Sequence, residues 1–113
     1  MPYIPPVKVV ATTAYDRRAR KLLTAEERAT AELGIALAPD AWPVIPGTGG
    51  ARKARAARGG TGKRGGARIV YFLWVARTTV YMLDIYAKGA KENLTDDDKK
   101  EIRRTIEALR SEA

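Results

Sequence analysis

Ile69-Val-Tyr-Phe-Leu-Trp-Val75 and Thr79-Val-Tyr-Met-Leu-Asp-Ile-Tyr86 are two β-branched and aromatic runs separated only by Ala76 to Thr78. Runs of this length and composition fit strands, whose pleated surface accommodates such side chains well. So short an interval makes them an antiparallel hairpin, which is expected at the centre of the fold. Upstream, Ala51 to Ala57 alternates imperfectly, with Lys53 and Arg55 on one face and Ala54 and Ala56 on the other. The glycine-rich stretch 59 to 66 turns this segment toward Ile69, which predicts a third antiparallel strand. Its alanines are poor strand formers, so its pairing must come from the neighbouring strand.

Farther out, Val7 to Ala11 follows the Pro5-Pro6 stop and reads as a short opening strand. Thr13 is expected to cap a helix whose apolar positions are Tyr15, Ala19, Leu22 and Leu23. Thr24 stands three residues before Glu27, the spacing at which hydroxyl and carboxylate each satisfy the other's orphan backbone donor. A second helix is expected from there, weakened by Gly34 and ended by Pro39. Two helices joined so tightly form a hairpin that must lay its apolar stripe on the sheet. After Lys88 a loop leads to Thr95, the expected cap of a last helix with Asp96, Asp97 and Asp98 in its positive first turn. Ile102, Ile106 and Leu109 form its stripe. The expected class is α+β in a single domain over 1–113: a small, twisted, antiparallel-rich sheet, a helical hairpin on one face, and a C-terminal helix.

The chain has 113 residues, a length that suits one domain, and it contains neither Cys nor His. Disulfides, thiolate nucleophiles, thiolate zinc sites and His-dependent catalysis are therefore excluded. Acid-base chemistry falls to Lys, Tyr, Asp or Glu, with Arg as a fixed cation. No run approaches the roughly 18 apolar residues of a membrane span, and Met1 to Pro6 lacks a signal-peptide layout, so a cytoplasmic protein is expected. The net charge is +8, and its distribution is uneven. Residues 50 to 68 carry seven basic groups and no acid: Arg52, Lys53, Arg55, Arg58, Lys63, Arg64 and Arg68. The flanking segments are close to neutral. A solvated loop or a contact with anionic lipid would account for the run in bland terms, whereas a focused field suits nucleic acid or an acidic protein.

Gly60-Thr-Gly62-Lys-Arg-Gly65 satisfies a dinucleotide-binding string, but that motif needs a helix after it, and here a strand follows. The phosphate-loop reading fails as well, because Ala57 and Arg64 stand where a glycine and a Mg²⁺-binding hydroxyl are required. Arg68 opens an otherwise apolar strand, which places it at the sheet's edge on a rigid element. With Lys53 and Arg55 on the strand expected to pair with it, three cations would share one face without an acid in the window. Crowding of like charges costs stability and points to a ligand. Lys88 and Lys91 follow Tyr86 just beyond the last strand, where the hairpin brings them near the same face. Tyr71, Phe72 and Trp74 are expected in the core.

Five strings taken in order, Ile45-Pro-Gly-Thr-Gly-Gly50, Ala51-Arg-Lys-Ala-Arg55, Gly62-Lys-Arg-Gly-Gly-Ala-Arg68-Ile-Val-Tyr-Phe72, Tyr86-Ala-Lys88 and Glu92-Asn-Leu-Thr95, closely resemble the HigB branch of the RelE toxin superfamily. The likeness spans roughly residues 12 to 110. It implies a RelE-like fold and a metal-independent endoribonuclease without a cofactor. Such a toxin cuts mRNA in the A site of the 30S ribosome and is held inactive by a co-expressed antitoxin, in this branch usually a HigA-like helix-turn-helix protein. The implied chemistry is attack of a ribose 2'-oxygen on the adjacent phosphate. Lys53 is then the expected base, its charged form disfavoured by neighbouring cations, and Arg68 the phosphate clamp. Arg55 assists, and Lys88 acts as acid or backbone holder. Arg52, Arg58, Lys63, Arg64, Lys91 and Tyr86 complete the expected RNA contacts.

Leu94 stands about where RelE carries a tyrosine, leaving the general acid unassigned. Ala51, Ala54 and Ala67 replace larger residues of the HigB-like pattern, each a loss of apolar burial of about 1 to 3 kcal/mol, which predicts a looser second strand or compensation by a partner. Two other functions compete: a ParE-like toxin acting on DNA gyrase, which needs no phosphate-cleaving cluster, and a non-catalytic basic module that only binds RNA or DNA.

Overall fold

The central hairpin forms as its composition dictates. In the computed structural model, which describes residues 7–59, 66–91 and 93–112, β3 (Ala67–Trp74) and β4 (Thr79–Ala87) pair antiparallel through a 3-10 turn at Val75–Arg77. Thr78 closes that turn in the left-handed region at φ 48°. On one side β2 (Arg52–Ala56) pairs antiparallel with β3; on the other β1 (Lys8–Ala11) pairs parallel with β4. The strand order is β1-β4-β3-β2. A bulge opposite Val70 and Tyr71 inserts Leu83 as an extra residue on β4, bending that strand and re-aiming its side chains.

The chain enters α1 (Thr13–Leu22) through Thr12, one residue earlier than expected. The Thr12 hydroxyl accepts from the Tyr15 N–H and also donates to the Met82 carbonyl at 2.9 Å, so the cap is fastened to β4. Thr24 and Glu27 form the expected capping box of α2 (Ala25–Leu37), and the helix runs through Gly34 without a break. Thr95 caps α3 (Asp96–Ser111) reciprocally with Asp98. None of these helices is long and apolar enough to cross a membrane.

Strand alternation divides the core into two halves. Tyr15, Ala19 and Leu23 of the hairpin region pack with Ile35 of α2 on Ala54, Ala56, Ala67, Ile69, Tyr71, Val80, Met82 and Ile85. The opposite sheet face carries Ala51, Val70, Phe72, Leu83 and Tyr86, which are covered by Leu94, Ile102 and Ile106. Ala51, Ala54 and Ala67 are buried in these clusters. Trp74 is only partly buried, with the Arg77 guanidinium 4.9 Å from its ring centroid, because β3 ends there and leaves one ring face outside the core.

Candidate nucleic-acid interface

Register decides which cations meet. Arg68 lies opposite Arg55 on β2 and opposite Tyr86 on β4, so one row crosses three strands as Arg55, Arg68, Tyr86. Residues directly opposed in a sheet share a face, with Cβ atoms about 5 Å apart. Lys53 is opposite Val70, whose side chain belongs to the core half beneath α3. Lys53, Arg55 and Arg68 therefore share the α3 side of the sheet, while the alternating Ala54 and Ala56 fill the other half of the core.

Arg68 does not lie on an edge strand. Once β2 pairs outside it, β3 is interior, and Arg68 is only 7% exposed. Its Nη1 donates to the Ala67 carbonyl at 3.2 Å, and among the described residues no carboxylate forms an ion pair with it. Gly66 makes this packing possible. A Cβ there would lie 2.7 Å from the Ala56 carbonyl oxygen and 3.6 Å from Arg68 Nη1. The Gly66 carbonyl also accepts from the Lys88 N–H at 3.2 Å, extending the β3–β4 pairing past Ala87 and fixing Lys88 at the same end of the sheet.

Tyr86 is buried beside Arg68, and its hydroxyl has no hydrogen-bond partner among the described residues. Burial raises its pKa above the usual phenol range against the opposing pull of Arg68, so the group stays a protonated donor at neutral pH. Lys91 Nζ sits 5.3 Å from the Tyr86 ring centroid and pairs with Asp98 at 3.2 Å. Leu94 is buried in the same apolar cluster.

Two expected contacts turn away. Arg52 is opposite Tyr71, on the helical-hairpin side, where Nη1 donates to the Asp40 and Trp42 carbonyls at 3.1 and 2.6 Å. Arg58 Nε donates to the Leu22 carbonyl at 3.1 Å, at the junction of α1 and α2. Both arginines serve backbone oxygens that strand alternation alone does not reveal. Lys63 and Arg64 lie outside the described residues. One acid escaped the sequence reading: Asp84 lies opposite Val70, one row from the Arg68 row. Arg18 of α1 holds it in an ion pair, so it does not neutralise the cluster. Asp84, the one charged residue of β4, was the available signal.

Between α1, β4 and α3 a cleft of about 300 Å³ is lined by Arg18, Asp84, Lys91 and Asp98, whose charges are paired with one another. At the Lys53, Arg55 and Arg68 end of the sheet the cations have no ion-pair partner among the described residues, an arrangement suited to a bound polyanion.

No family model matches the sequence. Among solved structures, a double arginine-to-alanine mutant of Escherichia coli toxin RelE in the free state matches with a TM-score of 0.57 and 17% identity, over 78% of this chain and 90% of that one. This chain has the RelE fold. In this chain the fold consists of the four-stranded sheet with its helical hairpin and C-terminal helix, and the β2–β3–β4 portion of the sheet carries the Arg55, Arg68, Tyr86 row.

Proposed function

We propose that this protein is the toxin of a type II toxin-antitoxin pair, of the HigB branch, and that it cuts mRNA in the ribosomal A site. The observation that carries the reading is the row of Arg55 and Arg68 with Lys53 on the same sheet face, held by backbone pairing and free of carboxylate partners among the described residues. Like charges directly opposed across strands are destabilising, and a phosphate between them turns that repulsion into attraction.

In the proposed reaction Lys53 takes the proton of a ribose 2'-hydroxyl, whose oxygen attacks the adjacent phosphorus. The bond from phosphorus to the 5'-oxygen breaks, and the 5'-oxygen leaves with a proton delivered from Lys88 or water. The products are a 2',3'-cyclic phosphate and a 5'-hydroxyl. Arg68 and Arg55 stabilise the charge that builds on the phosphoryl oxygens, the role in which preorganised donors contribute most. Arg68 supplies a planar fork from a rigid strand, and a lysine there would lose the bidentate geometry. The protonated Tyr86 hydroxyl offers a further donor to an anionic oxygen.

The partners that accompany this reading are the 30S A site with its mRNA and a HigA-like antitoxin covering the basic face. Induction of the parent protein should arrest growth, and primer extension on cellular mRNA should show new ends within translated codons. Arg68→Ala should abolish both effects while still folding and co-purifying with the antitoxin. An Arg68→Ala variant as toxic as the parent would remove Arg68 from the mechanism.

A further inference from the structure

The C-terminal helix divides its charges between two flanks. At 100° per residue, Ile102, Ile106 and Leu109 form the seam on the sheet, and Asp98, Glu101 and Thr105 fall on the flank facing Arg18 and Asp84. Lys99, Arg103 and Arg110 fall on the other flank and have no ion-pair partner among the described residues. Asp96 and Glu107 border them on the solvent side, with no ion pair among the described residues. The helix starts beside Tyr86, where Leu94 and Lys91 pack, and ends with Arg110 at 5.1 Å from the Phe72 ring centroid. The basic flank thus runs alongside β3, over about 16 Å from Lys99 to Arg110.

This flank is anchored to the loop that feeds β2. Arg103 donates through Nε and Nη2 to the Gly47 carbonyl at 3.3 and 2.8 Å. Gly47 and Gly49 have φ of 82° and 78°, and a Cβ on either would meet Lys99 Cδ at 3.7 Å or Arg103 Cγ at 3.4 Å. The loop is itself tied by the buried Thr48 hydroxyl, which donates to the Ile45 carbonyl and accepts from the Ala51 N–H. Ala51 lies beneath α3, and Lys53 and Arg55 follow on the same strand face. The helix flank and the proposed reaction site are therefore held in one rigid frame.

We propose that Lys99, Arg103 and Arg110 form a second RNA-contact surface, which holds the phosphate backbone of single-stranded RNA leading away from the linkage at Lys53, Arg55 and Arg68. The inference rests on the proposed function and extends it to the tract of RNA beyond the reacting nucleotide. A row of cations held in the same frame as a cationic site and backed by a fixed loop matches a phosphate backbone better than a protein surface of mixed charge.

The test is binding of two RNAs made non-cleavable by a 2'-deoxy sugar at the reacting position: a trinucleotide and an oligomer of about a dozen nucleotides. The parent should bind the longer RNA more tightly. Lys99→Gln/Arg103→Gln/Arg110→Gln should weaken the longer RNA at least tenfold, lower its log–log salt slope by about 2, and leave the trinucleotide unchanged, since each single-strand phosphate contact contributes about 0.7 to that slope. Because the triple variant removes the Arg103 clamp, Glu107→Gln is the second arm, and it should tighten the longer RNA and steepen its salt slope. Parent-like binding of the longer RNA by both variants would overturn the inference and leave the reaction site standing. If the parent itself bound neither RNA, the inference would fall, while the proposed function, whose mRNA is presented by the ribosome, would be decided by the cleavage assay alone.

Discussion

The two faces of the sheet treat positive charge in opposite ways. On the helical-hairpin side every ion pair is a closed arrangement: Arg28 bridges Asp16 and Glu32, Arg20 also reaches Asp16, and the Tyr15 hydroxyl donates to Glu32. Arg18 of the same hairpin closes on Asp84. Arg52 and Arg58, though part of the basic window, are drawn toward that side and spent on carbonyl oxygens. On the α3 side, Lys53, Arg55 and Arg68 sit on paired strands without a carboxylate partner among the described residues, next to an unpartnered Tyr86 hydroxyl. One face is arranged for stability. The other retains unfavourable interactions that a bound anion would relieve.

Substitutions that break this contrast should separate stability from activity. The largest expected loss of stability is on the hairpin side: Tyr15 is fully buried, and Tyr15→Ala should cost about 3 to 5 kcal/mol in a urea titration. Thr95→Ala, which removes one half of the α3 capping box, should cost about 1 kcal/mol by the same measurement. On the α3 side the sign should change. Arg55→Gln relieves a cross-strand repulsion and should leave stability unchanged or raise it by up to about 1 kcal/mol, while slowing cleavage. Tyr86→Phe deletes a buried hydroxyl with no partner among the described residues and should likewise be neutral or slightly stabilising, with slower cleavage.

The smallest effect concerns pH. The Thr95 N–H, followed by the Lys91 ammonium, holds the Asp98 carboxyl below the usual carboxylate range. Its folded pKa is depressed, so its contribution is present above the unfolded value and is lost as pH falls through the folded one. Asp98→Asn should therefore show a shallower decline of stability on the acid side than the parent in denaturant titrations at stepped pH.

Much of this architecture was legible because it is local. The β-branched and aromatic runs defined the β3–β4 hairpin, and the Thr24/Glu27 box marked the start of α2 through hydrogen bonds made within one turn. Alternation along β2 correctly put Lys53 and Arg55 on one face. What escaped was non-local. The parallel pairing of β1 with β4 depends on a partner some seventy residues away in sequence. The depth of Arg68 depends on β2 closing the sheet outside it, and the cap moved from Thr13 to Thr12 because Thr12 also bonds to β4. Small residues at Ala51, Ala54 and Ala67 suggested a looser strand, yet all three are buried and β2 pairs along its whole length, with Tyr15 and Tyr71 in the cluster that holds Ala54 and Ala67. The destinations of Arg52 and Arg58 were invisible, because backbone carbonyls carry no sequence signature.

The central claim is that crowded strand cations break a ribonucleotide linkage, and single-turnover cleavage of mRNA on programmed ribosomes tests it most directly. The parent should yield fragments ending in a 2',3'-cyclic phosphate, and Arg68→Ala should cut on the order of a hundredfold or more slowly, the scale on which removal of a transition-state donor acts, with its fold intact. Cleavage by Arg68→Ala at the parent rate, or fragments lacking the cyclic end, would contradict the account.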